Sequence, residues 1–219
     1  KGLDYANKTL FTKTISNIIP NKVGILAGPN FAQEVALGYR TSTSLALADI
    51  EDAKFLSKIM STNNFIVYPS DDVVTLQVAG CVKNVVAIAC GIIEGLRYGE
   101  NTKAWLLSKG LQEIVTLAKF FDKDVKPDCT SVGILGDMVL TCYSLASRNT
   151  KFGFGLAAAK NAQKYLDSIY YLAEGSKGAK HLAEIALEHN LALPIITSIA
   201  KILQNPAKLR LFIEELFCN

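Results

Sequence analysis

One charged side chain interrupts an otherwise apolar stretch of the sequence. The segment AGCVKNVVAIACGII runs from Ala79 to Ile93, and its single charged residue is Lys83. Lysine is among the residues least often buried, so this ammonium group snorkels, forms an ion pair or has a chemical task. A lysine desolvated among apolar side chains has a lowered pKa and can exchange a proton near neutral pH. Lys83 is therefore a candidate for acid–base chemistry, with packing as the alternative.

A second candidate group lies in GILGDMVLTCYSLASRNTKFG, residues 133–153. Asp137 precedes an apolar run, and Thr141 follows one helical turn later, so both side chains share one face of a predicted helix. Arg148 and Asn149 come next, in a polar stretch that we predict to be a loop. An arginine with amide and hydroxyl donors can bind a phosphate in a two-pronged way. The spacing leaves open that Asp137 is only a helix N-cap and Arg148 only a solvated charge.

The segment GFGLAA, Gly153–Ala158, formally matches the dinucleotide fingerprint G-x-G-x-x-A. A true fingerprint follows a strand and is followed by an acidic residue at the end of a second strand. Neither feature surrounds this segment. We interpret it as a loop that opens a helix and predict that these residues do not bind a dinucleotide.

Composition excludes several classes of protein. The 219 residues carry 23 basic and 20 acidic side chains, a net charge of +3 without a basic, aromatic-rich cluster, so we expect no nucleic-acid partner. Five cysteines without C-x-x-C spacing argue against a disulfide framework and a zinc site, and they fit a reducing cytoplasm. No apolar run approaches the roughly 18 residues of a membrane span, so we expect no integral membrane segment. We also expect no signal peptide in the first residues.

The order of elements that would position these groups changes along the chain. Tyr5–Ile18 has helical spacing, and the following residues alternate as strand, helix, strand, helix and strand up to about residue 75, with parallel pairing expected. Long helical patterns follow. They are Val73–Leu96, Thr102–Phe121, Gly136–Ser144, Phe154–Tyr171, Gly178–His189, Pro194–Leu203 and Pro206–Phe217. The prediction is a truncated α/β part joined to an all-α part.

Six short motifs occur in the order and near the spacing of a known family. They are AGPNFAQEVALG, GCVKNVVAIACGI, GENTKAWLLSKGLQEI, GILGDMVLTCYS, SRNTKFG and AEGSKGAK. On these motifs the chain resembles the bacterial NAD(P)-dependent glycerol-3-phosphate dehydrogenases along essentially its whole length. The resemblance implies a cytoplasmic oxidoreductase that reduces dihydroxyacetone phosphate to sn-glycerol 3-phosphate with NAD(H) or NADP(H), for phospholipid synthesis.

The resemblance also implies a division of the chain. Residues 1–77 match the C-terminal part of a Rossmann-like, NAD(P)-binding α/β domain. Residues 78–219 match an all-α substrate-binding domain like the helical domain of 6-phosphogluconate dehydrogenase. Helical domains of this kind often pair, so a homodimer is one expectation.

Roles are implied residue by residue. Lys83 matches the lysine that donates and accepts the proton. The residues matched to substrate binding are Lys1, Asn84, Asp137, Thr141, Ser147, Arg148 and Asn149. Those matched to cofactor binding are Gly28, Asn30, Ala32, Arg148, Leu172 and Glu174. Asn30 and Leu172 depart from the Ser/Thr and Val that are commoner in the family, and no metal site is implied.

One departure from the family is large, because its G-x-G-x-x-G/A loop is not among these 219 residues. We expect the chain on its own to bind cofactor poorly and to turn over little or no substrate.

Two other interpretations of the sequence stay open. One is a different two-domain dehydrogenase acting on a hydroxy acid or sugar acid. The other is a non-catalytic helical module that mediates dimerisation.

Overall fold

The computed structural model describes residues 2–169 and 173–218, and its backbone forms two compact units. The first unit comprises the chain up to Cys81 together with Leu117–Leu140. The second comprises Val82–Thr116 together with the chain from Thr141 onward. This is a division by compactness. The predicted functional boundary between residues 77 and 78 stays a prediction.

The first unit contains a three-stranded sheet of order β3-β4-β5. Its strands are β3 (Ile25–Ala27), β4 (Thr41–Ala46) and β5 (Phe65–Ser70), and its helices include α2 (Ala32–Ala36) and α3 (Ile50–Met60). Asp49 caps α3, because its carboxylate accepts the Glu51 N–H at 2.8 Å. A small core forms between the sheet and α3, from Leu45, Leu47, Ala53 and Val67. The predicted α/β character of this part is confirmed.

The sequence predicted the relative direction of one of the two strand pairs in this sheet. Strands β4 and β5 pair in parallel, as expected for a crossover through α3, whereas β3 and β4 are antiparallel. A parallel return from β3 to β4 needs a helix that packs on the sheet, and α2 has five residues, none of them buried. Such a helix rises only about 7.5 Å, far less than the roughly 20 Å of a six-residue strand. The chain therefore turns back beside β3, and the parallel prediction was wrong there.

The predicted helix Tyr5–Ile18 is also shorter than its pattern. A small antiparallel hairpin, β1 (Leu3–Asp4) with β2 (Thr9–Leu10), precedes α1 (Phe11–Ser16). The Asp4 carboxylate accepts the backbone N–H groups of Ala6 and Asn7, which stabilises a turn in place of a helix start. Periodicity identified the helix but could not show this competing turn.

The second unit is all-α among the described residues, and the predicted change from mixed to helical structure is confirmed. The unit is built from helices. Three of them (α4, α5 and α6, with the ranges given next) also contribute residues to the first unit. The series is α4 (Val73–Leu96), α5 (Glu100–Phe121), α6 (Asp137–Tyr143), α7 (Arg148–Ala158), α8 (Ala162–Ser168), α9 (Glu174–His189), α10 (Pro194–Gln204) and α11 (Leu209–Phe217). A π-helical turn, Val132–Gly136, precedes α6, and a 3₁₀ turn, Pro206–Lys208, precedes α11.

The predicted helix Phe154–Tyr171 was wrong, because two shorter helices cover its described part. Ser147 caps α7 by accepting the Thr150 N–H at 3.3 Å, and Asn161 caps α8 by accepting the Lys164 N–H at 3.0 Å. The GFGLAA segment therefore lies inside α7 and does not open a helix. As predicted, it has no strand before it.

Helix α4 is the most buried element of the second unit. Its residues from Val85 to Cys90 are all fully buried. The helix is also long and apolar enough to cross a bilayer, with a mean hydropathy of 1.8, although it contains no continuous apolar run of that length. However, 83% of that window is buried inside the protein. A single buried helix of this composition is weak evidence for a membrane span.

The start of α10 is held by a buried acid. Glu113 on α5 is 2% exposed, and its two carboxylate oxygens accept the N–H groups of Ile195 and Ile196, the latter at 3.2 Å. Pro194 occupies the first helical position, where a missing N–H is tolerated. Desolvation by burial raises the pKa of Glu113 to about 8, although the two N–H donors oppose this effect.

The raised pKa of Glu113 predicts a pH-dependent stability. Its folded-state pKa lies above the ordinary value of 4.5, so the folded state holds the proton more tightly than the unfolded state does. This contribution is complete below pH 4.5 and is lost as the pH rises through about 8. We expect the free energy of unfolding from urea titrations to fall across this range, by at most about 1.4 kcal/mol per pH unit. Glu113→Gln should flatten the fall, whereas Glu215→Gln, at an exposed position, should preserve it.

Candidate active site

Lys83 and Asn84 form a polar pair on the buried helix α4. Both are half-buried, while Val82, Val85 and Val86 around them are fully buried. The structure therefore surrounds the lysine with apolar neighbours and leaves it partly exposed to solvent. This is the setting in which an ammonium group can act on a bound molecule.

A buried amide connects this pair to two other helices. The Asn149 Nδ2 donates to Asn84 Oδ1 at 3.0 Å, and Asn149 Oδ1 accepts the Gly175 N–H at 3.0 Å. Asn149 lies in the first turn of α7 and is 8% exposed, and Gly175 lies in the first turn of α9. One side chain thus fixes the Lys83–Asn84 pair, the start of α7 and the start of α9 relative to each other.

Gly175 is the residue that lets α9 approach α4. A Cβ built on it would lie 2.4 Å from the Asn84 carbonyl oxygen, a distance that real Cβ atoms do not adopt. Sequence reasoning quoted Gly175 within AEGSKGAK but gave it no role. The available signal was the glycine itself in a helical segment, where glycine is unfavourable unless a close approach requires it.

The start of α7 presents an accessible cation. Arg148 and Asn149 lie in the first helical turn, so the loop predicted for them was wrong. Arg148 contacts the Glu174 carboxylate at 3.8 Å, and both side chains are about 70% exposed, so the pair is weak. A guanidinium has five N–H donors, more than this contact uses. Arg148 can therefore bind a phosphate group close to the N–H groups of the helix start.

An ion cluster around a buried lysine contacts Tyr143, which lies shortly before Ser147 in the chain. Lys103 is 6% exposed, pairs with Glu94 and with Glu100, the latter at 3.1 Å, and lies over the Tyr143 ring at 5.3 Å. Burial lowers the pKa of Lys103, but the hydrogen bonds and charges of the two carboxylates outweigh it and raise the pKa above its usual value. The cluster keeps its charge and holds Tyr143. Sequence reasoning did not find it.

Asp137 belongs to the first unit. It is 4% exposed and is the first residue of α6, directly after the π-helical turn, and Thr141 follows four residues later on the same helix. Gly136 lies close to the AGPN segment, since a Cβ on it would be 3.4 Å from Pro29 Cγ. Thr141 contributes its backbone, because its carbonyl oxygen accepts the Thr150 hydroxyl at 2.6 Å.

The segment around Gly28 is tied firmly to β4. A Cβ on Gly28 would lie 2.7 Å from Thr43 Cα, so only glycine fits. Asn30 donates both amide hydrogens, to Thr41 Oγ1 and to the Ser42 carbonyl, each at 2.9 Å. Its Oδ1 atom is then available as an acceptor. Ala32 opens the short helix α2 and is exposed.

Each unit offers accessible groups that fit a nicotinamide cofactor. In the first unit, Asn30 and Ala32 are accessible, and Gly28 packs closely against β4 just before them. In the second unit, Arg148 and Glu174 offer exposed hydrogen-bonding groups. These properties fit a ligand with amide, hydroxyl and phosphate groups.

Two of the predicted site residues, Lys1 and Leu172, lie outside the described residues. Across 2–169 and 173–218, no group of three or more His, Cys, Asp or Glu side chains is arranged to hold a metal ion. The five cysteines form no disulfide among the described residues, and three of them (Cys81, Cys90 and Cys142) are buried.

Two family models match the chain. The model for the C-terminal part of NAD-dependent glycerol-3-phosphate dehydrogenase matches residues 72–214, and the model for its N-terminal part matches residues 1–53. The chain belongs to the NAD-dependent glycerol-3-phosphate dehydrogenase family. The resemblance inferred from the six motifs is confirmed.

Relatives of this dehydrogenase family agree with that assignment. The chain is 36% identical to the glycerol-3-phosphate dehydrogenase [NAD(P)+] of Rickettsia typhi over 206 residues, and 39% identical to that of Rickettsia africae over 202 residues. These alignments cover 93% and 91% of the chain but 64% and 62% of the relatives. The chain thus spans less than two thirds of the length of the relatives it matches.

Solved structures of glycerol-3-phosphate dehydrogenases share the fold. The enzyme from Coxiella burnetii superposes with a TM-score of 0.88 at 30% identity, covering 99% of this chain and 66% of that one. The enzyme from Saccharomyces cerevisiae gives 0.86 at 25% identity, covering 98% and 66%. The predicted fold class, an α/β part followed by a helical domain, is confirmed.

Proposed function

We propose that the protein containing this chain interconverts dihydroxyacetone phosphate and sn-glycerol 3-phosphate with NAD(H) or NADP(H), and that reduction is the physiological direction. The observation that carries this proposal is the Asn149 amide, which ties three segments together: Lys83–Asn84, the Arg148 turn and the Glu174–Gly175 turn. An ammonium group, a phosphate-binding guanidinium and hydrogen-bonding amides are thereby fixed in one unit.

Family membership supports the assignment of the reaction. The relatives carry the name glycerol-3-phosphate dehydrogenase [NAD(P)+], and the family models cover both the N-terminal and C-terminal parts. We further propose the use of the product in phospholipid synthesis, a cytoplasmic location and a homodimer. We also propose that these 219 residues alone turn over little substrate.

The bound nicotinamide would supply or remove the hydride at the substrate carbon. This chain's own residues do the rest. Lys83 stabilises the negative charge that develops on the substrate oxygen and delivers a proton to it, and in the reverse direction its amine accepts that proton. From the family resemblance we also propose a substrate-binding role for each of Asn84, Asp137 and Thr141. A cofactor-binding role is proposed in the same way for each of Asn30, Arg148 and Glu174.

Arg148 would hold the remote phosphate of the substrate. Binding energy from a group far from the reacting carbon can orient the substrate for reaction. We expect Arg148→Ala to raise KM for dihydroxyacetone phosphate by about 100-fold, since a charge-assisted contact contributes about 1.5–3 kcal/mol. Arg148→Lys keeps the charge but loses the two-pronged geometry, so it should recover only part of the loss.

Steady-state kinetics of NADH oxidation by the protein as its gene encodes it would test this. Lys177→Ala, which removes an exposed cation elsewhere on α9, serves as the matched control. An unchanged KM in Arg148→Ala would contradict the phosphate assignment. Full activity of that variant on an unphosphorylated hydroxy acid would favour the other two-domain dehydrogenases. Absence of turnover and of ligand-dependent thermal shifts in a protein that still pairs would favour a dimerisation module.

A further inference from the structure

The π-helical turn before Asp137 is anchored to the sheet of the first unit by one side chain. Ser44 on β4 is 2% exposed, and its Oγ accepts the Gly133 N–H at 2.9 Å. Gly133 is at the start of the turn Val132–Gly136, where backbone N–H groups have no partner within the helix. The serine hydroxyl therefore satisfies a buried donor that the turn itself leaves unpaired.

The turn fits against the sheet with no space to spare. A Cβ on Gly133 would lie 2.7 Å from the Ala27 carbonyl oxygen, 2.8 Å from Ser44 Cβ and 2.6 Å from Leu76 Cδ1. Glycine thus lets the turn come close enough for Ser44 to reach its backbone. Strands β3 and β4 and the first turns of α4 define where residue 133 can be.

The geometry of the turn sets the direction of Asp137. The Asp137 N–H is shared between the carbonyls of Ile134 and Val132, and the bond to Val132, five residues earlier, is the π-helical one. One extra residue in a turn rotates every following side chain by about 100° around the helix axis relative to a regular α-helix. π-Helical turns occur frequently at functional sites. A loss of the anchor at residue 133 would let the turn relax and would redirect the Asp137 carboxylate.

We propose that Ser44 is a positioning residue: by accepting the Gly133 N–H, its hydroxyl fixes the π-helical turn that orients Asp137. The inference rests on the proposed function for the task of Asp137, which would orient the substrate oxygen. Ser44 itself acts through the turn. The sheet of the first unit thereby sets the geometry of a residue that was assigned to substrate binding.

A double-mutant cycle in the protein as its gene encodes it tests this proposal. Ser44→Ala leaves the Gly133 N–H buried without an acceptor, and we expect kcat to fall about tenfold while KM changes little. In an Asp137→Asn background, the same change should lower kcat by less than twofold. Thr43→Val is the matched control, because it removes a buried hydroxyl from the adjacent residue of β4, one that has no hydrogen-bond partner. That variant should keep kcat within twofold of wild type.

Several outcomes would overturn the proposal. An unchanged kcat in Ser44→Ala would do so, and so would an equal loss in both backgrounds, which indicates a general structural effect. If Asp137→Asn alone leaves kcat unchanged, the proposed role of Asp137 fails. Hydrogen exchange then decides whether Ser44 anchors the π-helical turn. Exchange at Gly133 at least tenfold faster in Ser44→Ala supports the anchor, and an unchanged rate overturns it. If Ser44→Ala does not fold, Ser44→Cys, a weaker acceptor of similar size, replaces it in the same cycle.

Discussion

Replacing Lys83 with alanine should lower kcat for dihydroxyacetone phosphate reduction by about 10³-fold and leave KM within a few-fold of wild type. The ammonium group acts on charge that develops on the substrate oxygen in the transition state, so its loss weakens transition-state binding far more than substrate binding. Phosphate binding by Arg148 is unaffected by the change. Steady-state kinetics of the protein as its gene encodes it, in both reaction directions, would measure the split between kcat and KM.

Two further variants distinguish proton transfer by Lys83 from packing. Lys83→Arg preserves a positive charge, but a guanidinium does not give up its proton, so turnover should stay low. Added methylamine should restore part of the activity of Lys83→Ala, because a small amine can occupy the vacated volume and donate the proton. Lys83→Met keeps the length of the side chain and should not recover activity. Turnover of Lys83→Ala within threefold of wild type would show that the lysine only packs and snorkels.

The sequence predicted the helices of the second unit well where apolar periodicity was long. The predicted α4 has the observed ends, Val73 and Leu96, because a 24-residue pattern of apolar residues tolerates no other regular structure. The apolar pattern did not predict the break between α7 and α8. Asn161 is a residue type that favours N-caps but also occurs inside helices, and its hydrogen bond to the Lys164 N–H shows that it is a cap here.

The candidate site was found from residue types and motifs, but its internal connections were not. Lys83, Asp137 and Arg148 were identified as polar residues next to apolar runs. The link from Asn84 through Asn149 to Gly175 joins residues that are 65 and 26 positions apart, and no local pattern contains such pairings. The hydrogen bond from Gly133 to Ser44, 89 positions away, is another example. Tertiary contacts of this kind depend on packing, which single-sequence periodicity does not report.

Replacing Gly91 or Gly153 with alanine should strongly destabilise the second unit. A Cβ on Gly91 would lie 2.0 Å from the Thr150 carbonyl oxygen on α7, and a Cβ on Gly153 would lie 2.0 Å from the Ile88 carbonyl oxygen on α4. Each glycine thus faces the backbone of the opposite helix. Gly95, one turn after Gly91, continues the contact, with a Cβ position 2.8 Å from Ala157 Cβ.

Backbone atoms cannot rotate away as a side chain can, so either alanine must push α4 and α7 apart. We expect each substitution to lower the free energy of unfolding by about 3 kcal/mol, at the upper end of the usual range for an overpacked core. Alanine is the better helix former by about 1 kcal/mol, so the steric effect has to exceed this gain. Urea unfolding followed by circular dichroism would measure the difference.

Gly110→Ala is the matched control for this prediction. Its Cβ would meet Val86 Cγ2 at 2.7 Å, a side-chain atom on the same buried helix, and no backbone atom is among its nearest neighbours. We expect a loss of about 1 kcal/mol, because a small shift of the valine relieves the contact. Equal losses for Gly91→Ala and Gly110→Ala would contradict the argument that backbone contact makes the difference.

The same two variants should also affect the candidate site. Arg148 and Asn149 lie in the first turn of α7, and Asn149 reaches Asn84 on α4 through a single hydrogen bond of 3.0 Å. A separation of the two helices by even 1 Å would stretch this bond beyond its useful range. We therefore expect kcat/KM of Gly91→Ala to fall at least tenfold at temperatures where the variant is still folded. Unchanged kcat/KM in a destabilised variant would show that the close approach of α4 and α7 supports the fold alone.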